Sequence, residues 1–375
     1  MSSVERVLIV GGGVGGLTAA IGLTSAGKSV DVVELSKDWS VYGVGIIQPA
    51  NCLRAFDEIG AGEAVLEAGY PITGRRFHDS DGNRIGDVEL PVDGDGHFPP
   101  LNGITRPRLH HILQDGVRAA GAEVRLGVTV AELGDDGESV DVKFSDGTSG
   151  RYDLVVGADG VRSRVRELLF GSKYQPEFTG QVCWRYNLPR PPEIDRLCLY
   201  VGTGSKAGLV PIADDLMYLL LIEPPEGPLR IPEEELADRL RARLAGYGDP
   251  IATFRDELIT DPTKVVYRPV DSVWVSDPWY RGRVMLLGDA AHATSPHLAQ
   301  GAAMAVEDAV LLGRLVREDR ALEEILGEWN SRRVPRVRFI VESCEQIARW
   351  ELEEDPDADH VSVHNAAARL TAQPI

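Results

Sequence analysis

The residues with the clearest chemical potential lie late in the chain, in Val284 to Asp308, which reads VMLLGDAAHATSPHLAQGAAMAVED. An apolar run, Val284 to Leu287, stops at Gly288-Asp289. A polar loop containing Pro296 follows, and Gln300-Gly301 opens a small-residue helix. The pattern is a strand, a carboxylate at its end, a loop and a helix N-terminus. Gly288 lets a ligand approach the backbone closely. Asp289 offers two acceptor oxygens to ligand hydroxyls. The amides of Gly301, Ala302 and Ala303 have no helical partner upstream and can face an anion. A sugar-alcohol chain joined to a ring that becomes anionic on reduction suits such a site. The plainer reading, a buried strand-to-helix turn, fits the same residues.

A second constellation opens the chain. The β-branched run RVLIV, Arg6 to Val10, leads into GGGVGGLTAAIGLTSAG and then SVDVVEL. This is a βαβ pattern. Gly11 permits the tight turn, Gly13 lets a pyrophosphate approach the backbone, and Gly16 lets the helix pack on the strands. Val14 and Gly15 complete the turn, and Gly27 ends the helix. Glu34 falls where an acid should bind a ribose hydroxyl. A Gly-rich turn without a ligand would leave Glu34 unexplained. The unit alone does not separate NAD from FAD.

These groups need a scaffold, and the composition limits what it is. A chain of 375 residues suggests two closely packed domains. Hydrophobic content of 43% with 26% charge is that of a globular protein. The longest apolar runs are too short to span a bilayer, and MSSVERVLIV lacks signal-peptide architecture. Cys52, Cys183, Cys198 and Cys344 are scattered and read as thiols of a reducing compartment, so a cytoplasmic protein is expected. A net charge of −19 disfavours nucleic acid and anionic membranes as partners. The basic cluster Arg332, Arg333, Arg336 and Arg338 reads as a solvated or internally paired face.

Between the two constellations the chain alternates in texture. Asn51 to Ile59 is an amphipathic helix, and Ile72 to Leu90 is a hairpin turning at Asp81-Gly82-Asn83. Pro91 to Pro100 is a flexible loop. Arg106 starts a helix with Leu109, Ile112 and Leu113 inward. His110 and His111 point to different sides of it and read as ordinary surface groups. Strands fill Glu123 to Gly157, with a hairpin at Asp146-Gly147, and Asp159-Gly160 ends the last one. From Phe178 to Pro269 strand-like segments alternate with Pro-rich breaks, and one helix, Glu233 to Leu244, covers them. This predicts an antiparallel sheet roofing a substrate. Gly202-Thr203-Gly204 is rejected as a second nucleotide loop because no helix follows. After Asp308 one helix continues and another spans Ala321 to Cys344. His360 and His364 have i,i+4 spacing, but VSV between them favours strand or coil and no third ligand is evident, so no metal is expected.

Three signatures stand in order: GGGVGG with Glu34, ADG at 158–160, and GDAAH…P…QG…EDA from Gly288. Together they resemble the single-component FAD-dependent aromatic hydroxylases, which include 4-hydroxybenzoate, salicylate, 6-hydroxynicotinate and urate hydroxylases. The family pattern departs near Gly43, where some members carry an arginine and this chain does not, as in the salicylate and 6-hydroxynicotinate branch. The resemblance implies an α/β fold: a Rossmann-like βαβ FAD-binding domain (1–72, 100–176 and 272–345) interleaved with a smaller mixed or antiparallel sheet domain for substrate (73–99 and 177–271). A helical or loosely ordered segment (346–375) would follow.

It also implies roles. FAD would be held by Gly11, Gly13, Val14, Gly15, Gly16, Glu34, Gly45, Arg106, Val130, Asp159, Gly288, Asp289, Pro296, Gly301 and Ala302. Gly45 lies in the VYGVGIIQ segment that runs beside the flavin ring in the family, and Gln48, at its end, is counted with the substrate-side residues. Tyr218 on a roof strand and His297 after Pro296 are the candidate catalytic groups, and both would touch substrate. Lys206 stands where relatives hold an anion with arginine, which is not an equivalent group. His292 reads as framework of the flavin loop. NADH or NADPH would reduce FAD, and a flavin C4a-hydroperoxide would transfer hydroxyl to a small hydroxylated or amino-substituted aromatic or heteroaromatic ring. O2 and that ring are the expected small-molecule partners, in a monomer or homodimer. Same-fold epoxidases, Baeyer–Villiger oxygenases and flavin reductases are alternatives, as is a non-catalytic flavin-binding sensor.

Overall fold

The computed structural model describes residues 4–41, 43–92, 96–202 and 204–375. The first three residues, Tyr42 of the glycine segment, part of the Pro91 to Pro100 loop and Thr203 of the rejected nucleotide loop lie outside them.

The chain opens as β1 (Arg6–Val10), α1 (Val14–Ser25) and β2 (Ser29–Glu34), followed by β3 (Gly45–Pro49), α2 (Ala50–Glu58) and α3 (Gly62–Glu67). Next come β4 (Tyr70–Ile72), β5 (Gly74–Asp79), β6 (Arg84–Glu89), β7 (Leu101–Thr105) and α4 (Arg106–Ala120). Strands β8 (Glu123–Leu126), β9 (Val130–Asp135), β10 (Val140–Phe144), β11 (Ser149–Tyr152) and β12 (Leu154–Gly157) precede α5 (Arg164–Phe170). Four long strands follow: β13 (Glu177–Pro189), β14 (Leu197–Gly202), β15 (Ser205–Pro211) and β16 (Leu216–Glu223). After α6 (Leu236–Arg243) and α7 (Ile251–Glu257), β17 (Val266–Ser272), β18 (Tyr280–Arg281) and β19 (Val284–Leu286) return the chain to its start. It finishes in α8 (Asp289–His292), α9 (Gly301–Leu315), α10 (Leu322–Glu353) and α11 (His360–Ala372).

Two sheets organise the site. One has the order β18-β19-β12-β1-β2-β8. All its pairings except β18 with β19 are parallel. Its central strands are continuous apolar runs because helices cover both faces. The ligand crevice of such a sheet lies beyond the carboxyl ends of its strands, and both constellations sit there, after β1 and after β19. The second sheet has the order β17-β13-β16-β15-β14-β5-β6 and is antiparallel except where β5 joins β14. Its residues alternate strictly. Met217, Leu219 and Leu221 enter the core under α6 and α7, while Leu216, Tyr218 and Leu220 face an apolar layer with Ile47, Ile72 and Leu101. That second face is the roof. The hairpin β5–β6 thus completes the roof from a distant part of the chain.

Helices α1 and α9 cross at glycines: a Cβ on Gly313 would lie 3.1 Å from the Gly22 backbone. Behind α9 a buried ion network ties the last long helix to the fold. Arg333 donates to Asp308 (2.6 Å) and Glu307 (2.7 Å), and Arg336 donates to Glu307 (2.8 Å). The arginine cluster is therefore internally paired at these two positions. Breaking one such pair strands a buried charge, at a cost of about 3–5 kcal/mol.

Three local expectations are corrected. His110 is buried, not a surface group. Residues 360–372, including VSV, form helix α11, because Asp359 caps it through the Ser362 amide (2.9 Å) and an Ala-rich stretch continues it. Helix α10 does not stop at Cys344 but runs to Glu353, and its buried stripe through Ile340, Cys344, Ile347 and Ala348 explains the extension. Among the described residues no helix is long and apolar enough to cross a membrane.

Candidate active site

The glycine turn is built by close contacts only glycine allows. Gly11 has φ +112°, and a Cβ there would lie 2.3 Å from the Ala158 carbonyl oxygen. A Cβ on Gly16 would lie 2.0 Å from the Gly11 carbonyl oxygen, and one on Gly15 would meet Leu287. Gly13 faces open space instead. It caps α1 without any side chain, and no acid occupies the first turn at Val14, Gly15 and Gly16. The first amides of α1 therefore point their partial positive charge into an open cleft.

Glu34 and His110 hold this turn from two sides. One Glu34 oxygen accepts from the Gly12 amide and the other from the Ser36 amide, each at 2.7 Å. The Gly12 carbonyl accepts from His110 Nε2 (2.8 Å), and Gln114 donates to His110 Nδ1 (3.0 Å). This network assigns the Nε2-protonated neutral tautomer. Burial, the largest influence, lowers the His110 pKa and keeps it so. His110 was missed because its role depends on a contact 98 residues away in the chain. Val130 is buried at the start of β9, just after Val128, whose amide bonds the Glu34 carbonyl (3.0 Å).

The Asp159 carboxylate is occupied locally. It accepts from the Ser163 hydroxyl and from the amides of Arg164 (2.7 Å) and Val165 (3.0 Å), at the start of α5. Burial raises its pKa against these bonds. The Asp159 backbone packs against Gly11.

At the second constellation, Gly288 turns the chain at φ +60°. Its amide donates to Asp308 (3.1 Å), which also accepts from His292 Nε2 (2.7 Å). The EDA stretch is thus the brace of the Gly288-Asp289 turn, and His292 is part of that brace. The Asp289 residue is exposed to solvent at the end of the β19 turn. Desolvation raises its carboxyl pKa, opposed by His292 and Arg106. Pro296 begins a short 3-10 turn, Pro296–Leu298, and α9 follows. Its cap, Gln300, is drawn away: its side-chain oxygen accepts from Asn51 (3.1 Å) and its amide donates back to Asn51 (3.2 Å). No side chain caps α9, and no acid lies in its first turn. Gly301 and Ala302 therefore offer a second open amide terminus.

Arg106 begins α4, and its amide bonds the Val44 carbonyl (2.9 Å). Its Nε is buried with no hydrogen-bond partner among the described residues. Desolvation and then the neighbouring Arg185 lower its pKa, with Tyr218 and Asp289 acting against them. Arg185, on the roof strand β13, also has a buried, unpartnered Nε. Sequence reasoning did not single it out. Above this point Tyr218 packs on Gly45, where a Cβ would fall 2.3 Å from the tyrosine ring. Burial pushes the Tyr218 phenol up to about 12. Gln48 is fully buried; its oxygen accepts from the Cys52 thiol (2.8 Å), and its Nε2 has no partner among the described residues.

His297 and Lys206 meet through Glu351, which no motif or spacing singled out. Glu351, near the end of α10, accepts from His297 Nε2 (3.0 Å), Gln181 (3.2 Å) and the Lys206 ammonium. The Ser295 hydroxyl lies 2.7 Å from His297 Nδ1. Burial raises the Glu351 pKa, but His297 and Lys206 outweigh it and hold the carboxyl at about 2. Desolvation lowers the His297 pKa despite Glu351. The neutral imidazole therefore carries its proton on Nε2 and accepts from Ser295. Lys206 is a paired cation, its charge balanced within the protein.

A family model described as an FAD binding domain matches residues 5–343. The 2-heptyl-3-hydroxy-4(1H)-quinolone synthase of Pseudomonas aeruginosa is 33% identical, with 92% of this chain and 90% of that protein aligned. The 6-hydroxynicotinate 3-monooxygenase of Pseudomonas fluorescens is 30% identical over 85% of this chain and 84% of its own. Among solved structures, Klebsiella pneumoniae HpxO complexed with FAD and uric acid superposes with a TM-score of 0.86 at 26% identity, covering 99% of this chain and 93% of that one.

Proposed function

The chain belongs to the FAD-binding-domain family, within the single-component FAD-dependent monooxygenases, and from that premise we propose that it hydroxylates a small hydroxylated or amino-substituted aromatic or heteroaromatic ring at the expense of NADH or NADPH. The relatives named for a quinolone and a hydroxypyridine acid support that substrate class. The observation that carries the reading is that Gly15, at the uncapped start of α1, packs on Leu287 beside the Gly288-Asp289 turn, and that Arg106 lies within electrostatic reach of both Asp289 and Tyr218.

The residues present fit FAD. The bare α1 terminus at Gly13, Val14 and Gly15 suits a pyrophosphate, and Glu34 suits a ribose hydroxyl. Asp289 suits the ribityl chain, and the unpartnered Arg106 Nε is a donor awaiting an acceptor. Gly301 and Ala302, at the bare α9 terminus, suit the ring edge that becomes anionic on reduction. Asp159 contributes by positioning the glycine turn rather than by its carboxylate. When bound, FAD supplies electron transfer from the nicotinamide cofactor and the activation of oxygen.

The protein's part is to hold the ring and manage one proton. Tyr218 fixes one face of the pocket over Gly45 and, kept protonated by burial, donates a hydrogen bond. His297, neutral and held by Glu351 and Ser295 at both ring nitrogens, would take up a substrate proton only by releasing the Ser295 bond at Nδ1. The apolar layer of Ile47, Leu199, Val210 and Leu220 excludes water. The test is NAD(P)H oxidation by the FAD-loaded protein across hydroxylated benzoates, pyridines, purines and quinolones, with product and hydrogen peroxide counted together. One compound that accelerates oxidation and emerges hydroxylated supports the reading. Acceleration with every oxygen lost as peroxide, or none at all, removes it.

A further inference from the structure

The β5 end of the roof carries a cation, Arg75, that no carboxylate among the described residues neutralises. Arg75 on β5 pairs with Leu197 on β14. Leu197 is followed by Cys198, which pairs with Leu209, and Val210 pairs with Tyr218. Arg75, Leu197, Val210 and Tyr218 therefore lie in one row on the face that Leu199, Leu220 and Lys206 share. Among the described residues Arg75 makes no ion pair or hydrogen bond, and its Nε is buried. Desolvation lowers its pKa with no carboxylate acting against it. Arg106 and Arg185, also unpartnered among the described residues, cluster at the Tyr218 end near Asp289; the charges nearer Arg75 are balanced or neutral. Lys206 is balanced by Glu351. His364, on α11, is pushed down to about 4 by burial and then by Arg75, and burial keeps His297 neutral. A buried guanidinium without an anion is costly, so the Arg75 end of the pocket wall carries a positive charge in excess.

We propose that Arg75 is the receptor for a carboxylate borne on an arm of the substrate, separated from the reacting ring by an apolar spacer. The proposal rests on the ring-hydroxylation reading of this site. Three strand spacings separate the Tyr218 and Arg75 backbones, roughly 14 Å, shortened by the reach of the arginine itself. Leu197, Val210, Leu199 and Leu220 line that interval and suit a spacer of methylene or vinyl groups. A carboxylate directly on the ring would fall short. Arg75 is a specificity-determining residue on this account. The position Lys206 occupies is not the anion site, because its charge is already spent on Glu351. A phosphate of the nicotinamide cofactor offers the same anionic chemistry, but the shared row with Tyr218 favours the substrate.

The experiment is a titration of the FAD-loaded enzyme, read by flavin absorbance and fluorescence. The probes are 4-hydroxybenzoate, 3-(4-hydroxyphenyl)propanoate, 4-(4-hydroxyphenyl)butanoate and the methyl ester of each. The longer acids should bind roughly ten- to a hundredfold tighter than their own esters, the range of a charged hydrogen bond, and 4-hydroxybenzoate should show little preference. Arg75→Gln should erase the difference, Arg75→Lys should keep part of it, and FAD content should stay unchanged in both because Arg75 supports nothing else. The proposal is overturned if acids and esters bind alike, if no acid perturbs the flavin, or if the preference survives Arg75→Gln. It also falls if Arg75→Gln raises the KM for NAD(P)H and leaves acid binding untouched. Binding rather than turnover is read, so acids bound through Arg75 without product would fault the hydroxylase reading alone.

Discussion

Replacing Glu351 by Gln keeps the shape of the α10 end and removes the charge that Lys206, His297 and Gln181 converge on. In the folded protein this carboxyl titrates at about 2, against 4.5 for an unperturbed group. The sign follows from that depression. The stabilisation is fully present above the unfolded value and is lost as pH falls through the folded one. A gap of this size corresponds to about 3 kcal/mol at neutral pH. The side chain is only 20% exposed, so solvent screening removes little of it. Urea unfolding at pH 7, with FAD saturating for both proteins, should place Glu351→Gln about 3 kcal/mol below the parent. By pH 4 the gap should narrow by roughly 1 kcal/mol as the unfolded carboxylate protonates. His297 adds to acid sensitivity in the same direction, since its lowered pKa makes protonation below about 6.5 favour the unfolded chain. A gap below about 0.5 kcal/mol at pH 7, the level of a surface pair, or one that does not shrink with acid, would refute the reasoning.

Other substitutions test separate parts of the account. Arg333→Leu strands Asp308 and Glu307 without their shared cation, and the urea midpoint should fall by an amount equivalent to about 3–5 kcal/mol. His110→Ala leaves the buried Gly12 carbonyl with the longer Trp39 Nε1 bond (3.3 Å) in place of the histidine one; a loss of about 1 kcal/mol should appear as a several-fold weaker Kd for FAD by fluorescence titration. Gly45→Ala drives a Cβ into the Tyr218 ring. It should cost about 1–3 kcal/mol of stability and reduce coupled hydroxylation while FAD still binds, measured as product formed per NAD(P)H consumed.

What was legible beforehand was what local sterics and local pattern decide. Gly16 is required by a contact within its own turn, and Gly11 and Gly288 by their positive φ, so spacing and turn pattern exposed them. The bare starts of α1 and α9 could be anticipated because neither has an acid in its first turn, although the diversion of Gln300 onto Asn51 could not. The roof strands declared themselves by alternation, Met217, Leu219 and Leu221 against Tyr218 and Leu220. What stayed hidden depends on elements meeting across the fold. Glu351 lies 54 residues beyond His297 on a helix whose expected end preceded it. Arg75 comes from a hairpin whose place in the roof no local pattern discloses. His110 was misjudged for the same reason: adjacent histidines do diverge on a helix, but one of them diverged into the glycine turn.

The most direct test of the central claim is the fate of oxygen. With FAD, NAD(P)H and a ring that accelerates turnover, the reaction is run under ¹⁸O2 and the organic product weighed by mass spectrometry. A monooxygenase acting on the ring predicts one labelled oxygen per product molecule, in a new hydroxyl, with water as the other fate. Label found only in peroxide or water, with the ring recovered unchanged, would contradict it.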